Sequence, residues 1–361
     1  MTNEIRNEKR SKKNNRNEKH RLSNKAIIII GCIVLFILCI VISLIIFFDM
    51  LYNKIYEESS PTPSQIIDTI TLPPESGSVE DPEKTESPEL TEYMPEDNIK
   101  FILCFGLAEF DLADTIMVAI LNETDGKVDF LSIPRDTYIR YKDDDDRIKP
   151  EYWKINAYYN CYIDDQVVTT TDSASSMNLM GVCEKLLNID MDYYIRISYD
   201  TIEKVVDSMG GIEFEVPFDM IYYDYTPGSE IEIELYKGLQ VLNGDQVIEY
   251  LRFRKSNVEQ YYIEDVSDIS RIYRQQALIK AVIKKALTLD NISSVINIAK
   301  NNIKTNISKE ELTGLISYGL TLNTEDIDFE MLHGGEKTVY GKSFYTTDSM
   351  DIREQLIDIC E

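Results

Sequence analysis

Histidine is almost missing from this chain of 361 residues: His20 and His333 are the only two. His333 stands in the turn-like run Leu332-His333-Gly334-Gly335, which reads as a loop and not as the seat of a catalytic base. A Ser-His-Asp hydrolase and a histidine-ligated zinc enzyme are therefore excluded, because each needs an imidazole beside a nucleophile or beside further ligands. Cysteine is nearly as uninformative. Cys32 and Cys39 fall in one apolar run, and Cys104, Cys161, Cys183 and Cys360 are scattered without the C-x-x-C spacing of zinc or redox sites. Positive charge is the third shortage, with 37 Lys and Arg against 63 Asp and Glu and a net charge of −26. So acidic a chain repels nucleic-acid backbones everywhere except at a local cluster of arginines. What remains for chemistry is carboxylates, guanidiniums and a hard cation.

The charges that are present are unevenly placed. Residues 1–25 carry nine basic residues and only Glu4, Glu8 and Glu18, so the rest of the chain is more acidic than the total suggests. Ala26 to Phe48 then runs 23 residues without a charge, dominated by Ile, Leu, Val and Phe. That exceeds the roughly 20 residues needed to cross about 30 Å of hydrocarbon. It is also longer than a signal-peptide core, and Asp49 to Lys54 offers no small-residue cleavage site. The run predicts a single-pass membrane helix, with the basic tail cytoplasmic by the positive-inside rule and the acidic bulk outside. Residues 49–97 turn to Pro, Ser, Thr and Glu and read as an extracytoplasmic linker that buries too little apolar surface to fold. The expected folded unit is residues 98–361.

Within that unit, apolar runs predict strands at Ile99–Gly106, Thr115–Leu121 and Val128–Ile133, with a turn at Asn122-Glu123-Thr124-Asp125-Gly126. Helices are expected at Met177–Leu187, at Tyr199–Met209 closed by Gly210-Gly211, at Ile269–Leu287 and at Asn291–Ile303. Further strands are expected at Tyr193–Ser198, Glu213–Pro217 and Glu230–Leu235, and another over Asp245–Arg254. This alternation predicts an α/β fold, a mixed central sheet flanked by helices around one core.

Three arginine-bearing segments stand out. Ser132-Ile133-Pro134-Arg135-Asp136-Thr137 puts ionic residues where an apolar strand meets a proline that ends its pairing. In Tyr250-Leu251-Arg252-Phe253-Arg254, strand alternation would set both guanidiniums on one face, with an anion between them. Helical spacing in Ser270-Arg271-Ile272-Tyr273-Arg274-Gln275-Gln276 sets Arg271, Arg274 and Gln275 on a shared face. Any one of these alone would pass for a solvated edge or helix face. The acidic run Asp143 to Asp146 reads as a solvated turn, or else as a cation-binding or partner loop. The tyrosines of Tyr222-Tyr223-Asp224-Tyr225 and Tyr261-Tyr262 suit either sugar stacking or half-buried strand edges.

Seven blocks, in order, resemble the LytR-CpsA-Psr family. They are Asp114-Thr115, Ser132 to Thr137, Lys154-Ile155-Asn156-Ala157, Asp207-Ser208-Met209-Gly210-Gly211, Leu239 to Gly244, Arg252-Phe253-Arg254-Lys255, and Arg271 to Gln276. Val339 to Tyr345 is similar to the end of the same domain, and an anchor with a short basic tail also suits the family. The resemblance implies a cell-membrane phosphotransferase of Gram-positive-type bacteria. Such an enzyme moves a glycopolymer, typically teichoic acid or capsular polysaccharide, from a polyprenyl-pyrophosphate carrier to peptidoglycan.

The residue types suit that chemistry. Arg135, Arg252, Arg254, Arg271 and Arg274, with Gln275, are the expected donors to a pyrophosphate, and Arg135 and Asp136 the expected catalytic pair. Mg²⁺ or Mn²⁺ is the implied cofactor, on Asp114. The chain departs from the family pattern just before that residue. Gly106-Leu107-Ala108-Glu109-Phe110 lacks the usual aspartate and arginine, and Leu112 replaces an arginine two residues before Asp114. Glu109 or Asp111 is then the nearby source of a second metal-binding carboxylate. The alternative function is a catalytically weak extracytoplasmic protein that recognises lipid-linked polymer and regulates envelope assembly.

Overall fold

The hairpin that opens the domain shows why the apolar runs become strands. Strand β1 (Ile99–Leu107) pairs antiparallel with β2 (Ala113–Asn122), which pairs antiparallel with β3 (Lys127–Ile133). Between β2 and β3 the Asn122 carboxamide oxygen accepts from the backbone N–H of Thr124 and of Asp125, both at 3.1 Å. Gly126 then takes φ +69°, which a side chain would resist. The computed structural model describes residues 98–107, 112–141, 152–160, 162–163, 166–167, 171–226, 230–263, 267–288, 290–339 and 341–361, with the short strand Ile70–Thr71. All belong to one compact unit, Tyr52–Glu361. The basic tail, the apolar run Ala26–Phe48 and nearly all of the linker lie outside the described residues. So do Glu109, Asp111 and the acidic run Asp143 to Asp146. Among the described residues no helix is long and apolar enough to cross a membrane.

Three more strands complete a mixed sheet: β4 (Tyr193–Ile197), β9 (Lys304–Thr305) and β10 (Ile327–Met331). Its order is β9-β4-β1-β2-β3-β10, with β4 parallel to β1 and β10 parallel to β3. Helix α1 (Asp172–Leu187) is capped by Thr171, whose hydroxyl accepts from the Ala174 N–H at 3.1 Å. It covers one face of the sheet, where Phe101, Leu103, Val118 and Leu131 pack against Leu179 and Leu186. The C-terminal helix α7 (Ser349–Cys360) closes the same face with Ile352 and Leu356. On the other face Ile102, Ala119, Leu121 and Val128 meet Leu315 and Tyr318 of α6 (Lys309–Gly319).

A further cluster lies off the main sheet. Helix α2 (Tyr199–Ser208) leads through Gly210 and Gly211 into β5 (Ile212–Val216), then β6 (Met220–Asp224), β7 (Ile231–Leu235) and β8 (Gly238–Leu242). β5 pairs with β8, and β6 with β7. Val206, Leu235, Leu242, Tyr250 and Leu278 are buried together there. The single expected core is thus three clusters: the sheet, apolar on both faces, separates two of them, and the third lies off it. The predicted strand over Asp245–Arg254 is also corrected. It is helix α3 (Gly244–Arg252), fixed by a capping box in which Asn243 and Gln246 satisfy each other's backbone N–H. Val247, Tyr250 and Leu251 follow helical and not alternating spacing. Helix α4 (Asp268–Ala286) and helix α5 (Ile292–Asn302) lie where expected, and hairpin β11 (Gly335–Val339) with β12 (Lys342–Thr346) precedes α7.

The parallel β3–β10 pair sets Asp129 opposite Asp328. Burial, helped by Asp328 and Glu330 and opposed by Lys127 and Lys280, pushes the Asp129 carboxyl up to about 6. A raised carboxyl favours the folded state in its protonated form. Its contribution is therefore full below about pH 4 and is lost as pH rises through 6. The melting temperature should fall between pH 4 and pH 7, and Asp129→Asn should flatten that slope; an unchanged slope would place the titrating group elsewhere.

Candidate anion site at the end of the sheet

Asp114 and Arg135 meet because of strand register. Ile116 pairs with Ile133, and the same register continued by two residues sets Asp114 opposite Arg135, where Pro134 has ended the ladder. Arg135 Nη1 is ion-paired with Asp114 Oδ1. The turn is locked by Thr137, whose N–H and hydroxyl both donate to the Pro134 carbonyl, at 2.9 and 2.6 Å. The Lys154-Ile155-Asn156-Ala157 block docks on this turn, with the Ile155 N–H on Thr137 O and the Asn156 N–H on Arg135 O. Lys154 Nζ then reaches Asp136 Oδ2 at 2.7 Å. Asp136 is thereby held as an orienting group, 3.9 Å from Arg135 Nε.

Helix α4 brings the second guanidinium. Arg271 is 4% exposed; its Nη2 lies 2.9 Å from Asp268 Oδ1 and 3.9 Å from Asp114 Oδ1. Asp268 also faces Arg135 Nε at 3.6 Å. Burial works against the Arg135 charge, but Asp114 and Asp268 more than offset it and raise the pKa above its ordinary value. Tyr199, first residue of α2, aims its hydroxyl at Asp114 Oδ2, 3.4 Å away. Burial, then the charge of Asp114, pushes that hydroxyl's pKa up, with Arg252 and Arg271 opposing. Arg135 Nε and Arg271 Nε are buried without a hydrogen-bond partner among the described residues. Buried donors in that state mark a place for an anion's oxygens.

The other members of the arginine motifs divide the work differently from the expectation. Arg252 ends α3 half-buried, and after Phe253 turns extended, Arg254 is exposed. Arg274 donates to the Phe253 carbonyl at 3.3 Å and lies over the Phe218 and Phe253 rings, while Gln275 donates to the Leu251 carbonyl at 2.9 Å. These two therefore clamp the end of α3, the segment that carries Arg252 and Arg254. Gln276 clamps the neighbouring strands through Ser132 Oγ at 2.9 Å and the Glu330 carbonyl at 2.7 Å. Asp268, Tyr199 and Gln276 were missed as site residues. Asp268 left a trace in the sequence, three residues before Arg271, and Gln276 stood in the helical block Arg271 to Gln276 without a role. Arg254→Ala should leave the melting temperature almost unchanged, since an exposed charge contributes about 0–1 kcal/mol, yet weaken pyrophosphate binding severalfold. Equal affinity by calorimetry would remove Arg254 from the site.

Among the described residues no three carboxylate, histidine or cysteine side chains gather as a metal site. Two carboxylates, Asp114 and Asp268, do flank Arg271; Asp268 Oδ1 is ion-paired with Arg271, and Asp268 Oδ2 is buried without a hydrogen bond among the described residues. One or two such oxygens beside a phosphate suffice for Mg²⁺.

The described residues form an α/β domain in which the end of the sheet gathers the carboxylates Asp114 and Asp268 and the guanidiniums of Arg135 and Arg271 around one cleft. A model of the LytR_cpsA_psr family matches residues 106–357, and the chain belongs to that family. It is 28% identical over 241 residues to an uncharacterised protein of Staphylococcus aureus, covering 66% of this chain and 52% of the relative. It is 26% identical over 267 residues to the polyisoprenyl-teichoic acid–peptidoglycan teichoic acid transferase TagU of Bacillus licheniformis, covering 72% and 76%. The crystal structure of TagV from Bacillus subtilis shares the fold, with TM-score 0.54 and 24% identity over 73% of this chain and 96% of TagV. The chain thus spans about half of the Staphylococcus aureus relative and about three quarters of the TagU relative.

Proposed function

We propose that this chain is a membrane-anchored transferase. It moves a glycopolymer from a polyprenyl-pyrophosphate carrier to peptidoglycan, with residues 26–48 as its anchor and residues 98–361 outside the cell. The observation that carries this reading is the convergence of Arg135 and Arg271 on Asp114 with both Nε donors unspent. The transferase name of the TagU relative supports it. An acceptor hydroxyl would attack the phosphorus next to the sugar, and the bond from that phosphorus to polyprenyl phosphate would break as the proton passes to the leaving phosphate. Arg135 and Arg271 would hold the non-bridging oxygens as their charge grows, and Arg252 and Arg254 the distal phosphate. Asp136 and Lys154 would keep Arg135 in place, and Tyr199 would fix the Asp114 carboxylate. Mg²⁺ or Mn²⁺ on Asp114, with Asp268 or, beyond the described residues, Glu109 or Asp111, would supply further charge neutralisation.

One observation favours the second reading, a regulator that binds lipid-linked polymer without turning it over. The Asp114 oxygen that would meet a metal is already paired with Arg135. Incubating the protein with a polyprenyl-pyrophosphate-linked saccharide, peptidoglycan and Mg²⁺ separates the two. Release of polyprenyl phosphate, lost in Asp114→Asn, supports the transferase; tight binding without release supports the regulator. A reporter fused after Glu361 and active only in the cytoplasm would overturn the topology.

A further inference from the structure

A second opening lies beside the arginine cleft, and its chemistry is different. It is an open cavity of about 570 Å³, lined by Tyr273, Phe329, Glu330, Met331, His333 and Tyr345 among others, with no lysine or arginine among the described residues of its wall. Helix α4 is the wall between the two, since Arg271 and Gln275 face the cleft and Tyr273 the cavity. The link is tight on the other side as well. The Tyr345 N–H donates to the Asp136 carbonyl at 2.9 Å, and Gln276 ties Ser132 in the cleft to Glu330 in the cavity.

We infer that this cavity is the subsite for the acceptor saccharide, an uncharged, hydroxyl-rich sugar chain; the assignment rests on the transferase reading above. Three observations argue for that ligand. A wall bearing one exposed carboxylate and no cation repels pyrophosphate, so the donor's anionic portion belongs in the cleft and a neutral ligand here. Tyr273 is 55% exposed although it sits mid-turn in a well-packed helix, and it presents a rigid ring to the apolar face of a sugar. The polar groups are pre-aimed. Gln355 donates to Glu330 Oε2 at 3.0 Å and to the Met331 carbonyl at 2.9 Å while accepting from the His333 N–H at 2.9 Å. That leaves Glu330 Oε1 and the His333 ring without a hydrogen bond among the described residues, available to sugar hydroxyls. The loop behind them has no slack. A Cβ on Gly334, at φ +159°, would lie 2.3 Å from the Thr346 carbonyl oxygen, so this wall is preformed.

The test titrates a β-1,4-linked N-acetylglucosamine tetramer into the whole protein by calorimetry, and separately a soluble polyprenyl-pyrophosphate analogue. Wild type should bind both. Tyr273→Ala should weaken the saccharide at least about tenfold with the pyrophosphate analogue unaffected, Tyr273→Trp should restore it, and His333→Ala should weaken it severalfold. In the transfer assay the same variants should raise KM for the acceptor and not for the lipid. Failure of the wild type to bind the tetramer, or equal saccharide affinity in Tyr273→Ala and His333→Ala, overturns the cavity assignment. Saccharide bound as expected while no polyprenyl phosphate is released overturns the transferase and leaves the sugar site standing.

Discussion

Arg135→Ala should lower kcat/KM for transfer at least about a hundredfold while shifting the melting temperature only slightly. One preorganised donor removed from a site of developing negative charge costs about 2.7–4 kcal/mol of barrier. The fold loses less, because the Arg135 side chain is 21% exposed and Asp114 keeps Arg271 within 3.9 Å. Arg135→Lys should recover little of the rate, since a point charge cannot reproduce the planar fork that spans Asp114 and a phosphate oxygen. Steady-state kinetics beside a thermal melt decide it. A large loss of stability with ordinary activity in the survivors would make Arg135 a structural residue.

The opposite balance is expected at Arg271. Its side chain is 5% exposed and that of Asp268 12%, with 2.9 Å between them. Arg271→Ala takes from Asp268 its 2.9 Å partner and leaves it only Arg135 Nε at 3.6 Å, and breaking so buried a pair costs up to about 3–5 kcal/mol. Urea unfolding should show that loss, and transfer should vanish with it. Replacing both partners by apolar residues, as in Arg271→Met with Asp268→Leu, should regain most of the stability and none of the transfer. If the double variant remains as unstable as the single one, the stability resides in the packing of α4 and not in the ion pair.

What the sequence disclosed was whatever local pattern controls. β1 to β3 are long apolar runs with a strong turn between β2 and β3, and their ends were placed within about two residues. Arg135 and Arg271 stood out because ionic residues at the ends of apolar elements have no packing reason to be there, whereas Asp114 came only from the resemblance, and the fold brings the three together. Arg252 and Arg254 were found for the wrong geometry. Their alternation with Leu251 and Phe253 mimics a strand, while the Asn243–Gln246 capping box that makes the segment helical lies six to nine residues upstream of Arg252. Arg274 and Gln275 share the spacing of Arg271, yet they spend their donors on α3 carbonyls, a tertiary choice that spacing cannot encode. Tyr199 escaped notice because a tyrosine opening a helix is ordinary until the fold brings Asp114 to its hydroxyl.

The pairing of β10 with β3 has a consequence in time. Val128 must wait for Ile327 to be made before its strand gains a second neighbour, so the edge that carries Arg135 stays open through the synthesis of the intervening segment. Contacts this distant along the chain form late and slowly, and an unpaired apolar strand meanwhile invites pairing with other chains. The cleft is therefore among the last parts to be completed, and a chain cut short before Ile327 would emerge with the β3 edge uncovered.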